Sequence, residues 1–136
     1  GEGERVEMSR VEEPRGWRIQ MDPVNTGAIH FSMGTQDIPP GGRIPVHLHE
    51  REEEILFFHE GEGEVEVDGE RFPVVPGMSA FLPPGVRHGV RNTGDSPLKL
   101  VWIFSPPGYE KVFREMARRE MDHGEIENHI GGRDEA

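Results

Sequence analysis

Gly41-GRIPV-His47-Leu48-His49-EREE-Glu54-ILFFHE-Gly61 sets two histidines one residue apart, with a glutamate following on the far side of a short polar run. Successive side chains of a strand point to opposite faces, so His47 and His49 turn both imidazoles to one side of a sheet, about 7 Å apart along the chain. That is close enough to converge on one ion. The run Glu50-Arg51-Glu52-Glu53 reads as a turn that returns Glu54 on the next strand, antiparallel to the first. Imidazole plus carboxylate, in a chain without cysteine, suits one divalent transition metal ion (Fe, Mn, Ni, Cu, Co or Zn). It argues against thiolate-bound zinc or an iron–sulfur cluster.

A second stretch, Gly77-MSAFL-Pro83-Pro84-Gly85-VR-His88-GVR-Asn92, has its own regular spacing. Together the two resemble, at every position, the paired motifs of the cupin superfamily, G-x5-H-x-H-x4-E-x6-G and G-x5-P-x-G-x2-H-x3-N. The resemblance implies an all-β cupin jelly roll (double-stranded β-helix) barrel whose metal ligands are His47, His49, Glu54 and His88. Glu53 rivals Glu54, but only Glu54 has both the required gap from His49 and the required gap to Gly61. Four protein ligands leave one or two positions open on a five- or six-coordinate ion, where substrate or dioxygen binds. The segment Phe104-Ser-Pro-Pro-Gly-Tyr109-Glu-Lys-Val-Phe113-Arg-Glu is similar to the extension after the barrel in single-domain cupins akin to quercetin dioxygenase. The family likeness implies a metal-dependent enzyme acting on a small organic molecule, with dioxygenase-type oxidation expected first and Glu54 as catalytic base. A non-redox isomerase, lyase or decarboxylase of a small acid or sugar, or a non-catalytic binding cupin, is the alternative.

Strand parity nominates the pocket. If His47 and His49 face inward, Arg43 and Pro45 do so too, Leu56 and Phe58 share the inward face with Glu54, and Val90 shares that of His88. The expected pocket is apolar with one cation, suited to an aromatic or carboxylate-bearing substrate. Gly61, Gly77 and Gly85 fall where turns need positive φ, and Asn92 is expected to bond backbone at a strand end.

The rest of the chain alternates short strands with turn signals. Trp17-Arg18-Ile19-Gln20-Met21 and Gly27-Ala28-Ile29-His30-Phe31-Ser32-Met33 are expected strands, and Asp68-Gly69 is a hairpin turn after the alternating Glu64-Val65-Glu66-Val67. From Tyr109 the period becomes 3.6, predicting a C-terminal α-helix to about Asp122. The domain plan is therefore a charged flexible or edge-strand arm over 1–16, one barrel with its helix over 17–122, and a disordered tail over 123–136.

A net charge of −11, from 26 acidic against 15 basic residues, speaks against nucleic acid or an anionic membrane as partner, since both need a positive patch. No apolar run approaches spanning length and no basic-then-apolar leader is seen, so cytoplasm is the expected location. Ile55-Leu56-Phe57-Phe58 is apolar on both faces, more than one small barrel covers, which leads us to expect a homodimer.

Overall fold

The computed structural model describes residues 4–8 and 15–123. Among these residues ten strands precede one helix: β1 (Glu4–Met8), β2 (Arg15–Met21), β3 (Ser32–Ile38), β4 (Arg43–His47), β5 (Glu53–Glu60), β6 (Gly63–Val67), β7 (Glu70–Val74), β8 (Ser79–Leu82), β9 (His88–Asn92), β10 (Leu98–Ser105) and α1 (Glu110–His123). They form a six-stranded sheet in the order β1-β2-β3-β10-β5-β8 and a four-stranded sheet in the order β4-β9-β6-β7. All pairings are antiparallel. Two facing antiparallel sheets make the jelly roll expected from the spacing of strands and turns.

Period-two alternation builds the core. Along β10 the residues Leu98, Leu100, Trp102 and Phe104 are buried and their neighbours are only partly so, while on β5 Glu54, Leu56 and Phe58 alternate with exposed residues. Trp102 needs its cross-strand partner to be glycine: a Cβ on Gly34 would collide with the indole and with the Arg18 carbonyl. The β6–β7 hairpin turns on Asp68 and Gly69, both at positive φ (49° and 86°), the type I′ geometry that matches strand twist. Asn92 closes the end of β9 by donating to the carbonyls of Ile38 (2.8 Å) and Ser96 (2.9 Å) while accepting from Gly94 N–H.

One expected strand is displaced. Residues 27–31 are irregular, with a bend at 29–30 after the turn at 23–26, and β3 begins only at Ser32. Gly27 takes φ 74°, Thr26 and Ala28 both donate to the Asp22 carbonyl, and Ile29 and Phe31 stand in solvent. The apolar residues there are not a core face, so periodicity alone misplaces the strand. The expected arm contributes β1, hydrogen-bonded along β2; positions 1–3, 9–14 and the tail from 124 lie outside the described residues.

Helix α1 packs across the six-stranded sheet. Phe113 stacks on Trp17 with ring centroids 4.8 Å apart, and Arg114 Nη1 donates to the buried Asp22 Oδ2 at 2.7 Å. Burial alone would raise the Asp22 carboxyl, but the Arg114 guanidinium and the Asn25 and Val24 amides hold it below the ordinary range. Glu110, itself buried, accepts from Ser32 Oγ (2.8 Å) and Gly108 N–H (3.0 Å) at the start of the helix. Among the described residues no helix is long and apolar enough to cross a membrane.

Candidate metal centre

His47 ends β4, His49 follows it in the connecting loop, Glu54 lies near the start of β5 and His88 opens β9 opposite His47. All four are buried, and one ligand atom from each falls within 4.8 Å of the others. Both sheets therefore contribute: Glu54 from the larger, His47 and His88 from the smaller. Glu54 Oε1 lies 2.9 Å from His49 Nε2 and 3.1 Å from His88 Nε2. Donors about 2.1 Å from one ion and at right angles to each other lie about 3.0 Å apart, so the spacing suits coordination.

The ring orientations point the same way. His47 Nδ1 is 2.8 Å from the Pro45 carbonyl and His88 Nδ1 is 3.2 Å from that of Val86. Each spends the one proton of a neutral imidazole there and leaves a lone pair on Nε2 facing the cluster. His88 can contact both Val86 O and Glu54 Oε1 only with a second proton or with a cation in its place. Burial first, and then the repulsion that a proton on a neighbouring imidazole would add, pushes His47 down to about 3, which keeps its imidazole neutral as a ligand must be. Glu54 would be raised by burial, but the His49 and His88 nitrogens against it hold it down at about 2, as a carboxylate. The donor set fits one divalent transition metal ion.

The cluster opens on a small inner cavity walled by aromatic side chains from β2, β10 and α1. Tyr109 lies at its metal end, its ring 4.0 Å from that of His49 and 6.2 Å from that of His47. Gln36 and Tyr109 line this cavity and were not expected there. Tyr109 reads from sequence only as part of a helical face, and Gln36 is legible only once β3 is known to start at Ser32.

Strand parity breaks down on β4. Arg43 is exposed and lies with Pro45 in a groove on the outer face of the four-stranded sheet, beside Glu64, Glu66 and Arg71. Ile44 takes the inward place instead and lines the cavity. The β4–β9 register slips between Ile44 and His47, an irregularity that reverses which residues share the histidine face. Leu56, Phe58 and Val90 do point inward but are packed in the hydrophobic core, not along the cavity wall. Glu53, His30 and His59 are exposed and apart from the cluster.

The cupin domain family matches residues 34–104 of the 136. The chain belongs to the cupin family. It is 38% identical over 89 residues to the polyketide synthase CurC of Streptomyces cyaneus, covering 65% of this chain and 58% of that one. It is 34% identical over 66 residues to the oxalate-binding protein of Thermotoga maritima, covering 48% and 54%. This cupin thus spans little more than half the length of these curated relatives. Among solved structures, a predicted oxalate decarboxylase from Thermotoga maritima superposes with a TM-score of 0.69 over 76% of this chain and 93% of that chain, at 22% identity. That likeness is one of fold.

Proposed function

We propose that this cupin is a metal-dependent enzyme that binds a small enolisable carbonyl compound and moves its α-proton. The observation that carries the reading is the buried His47, His49, Glu54 and His88 cluster opening on an aromatic-walled cavity. A divalent ion bound there supplies a Lewis acid that polarises a carbonyl oxygen and acidifies the neighbouring C–H. Tyr109, Phe113 and Trp17 keep bulk water from that end of the cavity. Glu54 is a poor base while its Oε1 is engaged by His49 and His88. Swung away from them it regains basicity beside the substrate and takes the α-proton on a carboxylate oxygen. The likeness to a polyketide synthase protein supports this oxygen-independent mode over the dioxygenase reading, because a polyketone, with its alternating carbonyls, supplies acidic C–H groups and needs no oxidant. The narrower resemblance to quercetin dioxygenase-like cupins remains the competing assignment.

The test is elemental analysis of untagged protein followed by turnover of aromatic β-diketones and flavonols under air and under argon. One ion per chain and equal rates in both atmospheres are expected. Full metal content in a His47→Ala, His88→Ala double variant sinks the assignment of ligands. Turnover that stops under argon hands the site to dioxygenase chemistry, and metal uptake without turnover leaves a binding protein.

The homodimer belongs to the same proposal. On the outer face of the larger sheet Met21, Met33, Ile103, Ile55 and Phe81 form one apolar row across five strands, with Ile55 41% and Phe81 59% exposed. A second copy buries this row, and light scattering on Phe81→Glu, with Phe57→Glu in the adjacent row, reports a monomer where the native chain gives a dimer. A monomeric native chain refutes it.

A further inference from the structure

Gln36 occupies the middle of β3, on the face that Ser32, Gly34 and Ile38 also turn inward. Its cross-strand neighbours are Trp17 on β2 and Leu100 on β10, both core side chains. It is 4% exposed, and its Nε2 finds no hydrogen-bond partner among the described residues. A buried amide left unpaired is destabilising, and leucine or methionine fills the same space without that cost. The same side chain lines the cavity that holds His47, Glu54 and His88.

We propose that Gln36 is the specificity-determining contact of this cupin: its amide binds the second oxygen of a substrate whose first oxygen faces the histidine–glutamate cluster. This rests on the metal-centre reading above and narrows its substrate class. Apart from the cluster and Gln36, the wall consists, among the described residues, of Trp17, Ile44, Phe104, Tyr109, Phe113 and Met116, with no lysine or arginine. A neutral amide in such a wall satisfies a carbonyl or hydroxyl oxygen; a second carboxylate or a phosphate would be buried without a counter-charge. The aromatic side chains take a flat apolar body. The substrate class is therefore an uncharged or singly charged, ring-bearing hydroxycarbonyl or enolisable dicarbonyl, and dianions such as oxalate or sugar phosphates fit poorly.

Zinc-loaded native chain, Gln36→Leu and Gln36→Met are titrated by calorimetry with 2-hydroxyacetophenone and, separately, with oxalate, alongside metal analysis and thermal melts. Both variants are expected to keep one zinc and to melt at or above the native temperature, since the orphan amide is gone. Affinity for 2-hydroxyacetophenone falls about tenfold while that for oxalate stays within about twofold. Equal 2-hydroxyacetophenone affinity in all three proteins, or no binding to the zinc-loaded native chain, overturns the inference and leaves the metal centre standing. An equal loss for both probes, or lower melting temperatures in both variants, assigns Gln36 a structural role and overturns it too. A native chain that takes up no zinc or other divalent ion removes the metal reading, and this inference with it.

Discussion

Stripped of metal by a chelator, the chain should lose stability between pH 8 and pH 5, mostly through His47. Its imidazole is held at about 3 in the folded chain against an ordinary 6.5. A depressed folded value means that the unfolded chain binds the proton first. The stability it contributes is complete above pH 6.5 and drains away as pH falls toward about 3. At pH 5 the unfolded His47 is stabilised by protonation by a factor of about 30, or about 2 kcal/mol. The folded chain gains almost nothing at that pH, so the result does not depend on whether the folded value is 3 or 4. Glu54, at about 2 against 4.5, and Asp22 act in the same direction but at lower pH, and add little by pH 5. Urea titrations at the two pH values, on the chelated native chain and on His47→Asn, isolate the effect. The native chain should lose about 2 kcal/mol more than the variant, equivalent to about 6–10 °C of melting temperature for a domain of this size. Equal losses in the two proteins would refute the claim that burial keeps His47 neutral, and with it the claim that the metal site is preorganised.

Two further outcomes test the frame around the site. Gly34→Ala forces a methyl group against the Trp102 indole and the Arg18 carbonyl; urea unfolding should register a loss of about 3 kcal/mol, and a loss under about 0.5 kcal/mol would mean that the sheet yields there. Asp22→Asn keeps the turn contacts to Val24 and Asn25 but discharges the partner of Arg114. It should cost about 2–3 kcal/mol at neutral pH. Because the folded Asp22 value is lowered, its contribution is present above the ordinary carboxyl range and is lost as pH falls through that range and below it. The native and variant stabilities should therefore converge in acid; a gap that persists at pH 2 contradicts the ion pair.

The convergence of His47, His49, Glu54 and His88 is legible in the sequence because each residue sits at a fixed offset from a glycine or proline that must turn the chain. Gly61, Gly77 and Gly85 do adopt positive φ, and β8 stops at Leu82, immediately before Pro83. What strand parity could not supply was the inward face of β4. Alternation holds only while a ladder is regular, and Pro45 offers no amide to one; the register slip between Ile44 and His47 sent Arg43 outside. The strand expected at 27–31 failed for the opposite reason, since Ile29 and Phe31 imitate an apolar alternation that the Asp22 turn turns into solvent. Leu56 and Phe58 were placed on the correct face but too deep, because parity fixes direction and says nothing of depth along the barrel.

The cavity combines features that work against stability, and the helix offsets them. Four titratable side chains and an unpaired amide are buried on or beside the inner sheet faces, each disfavoured by desolvation. Against them, α1 brings Phe113 onto Trp17, Arg114 onto Asp22 and Glu110 onto Ser32. Trp17 and Phe113 are also walls of the cavity, so the contacts that hold the helix in place are the ones that shape the site. A change that loosens α1 thus acts twice, lowering stability and opening the aromatic wall to water. The effect of Asp22→Asn on stability should then be accompanied by faster loss of bound metal to a chelator, although Asp22 is no ligand. If metal leaves the variant at the native rate, helix docking and the metal site are separate devices and the coupling argued from Trp17 and Phe113 fails.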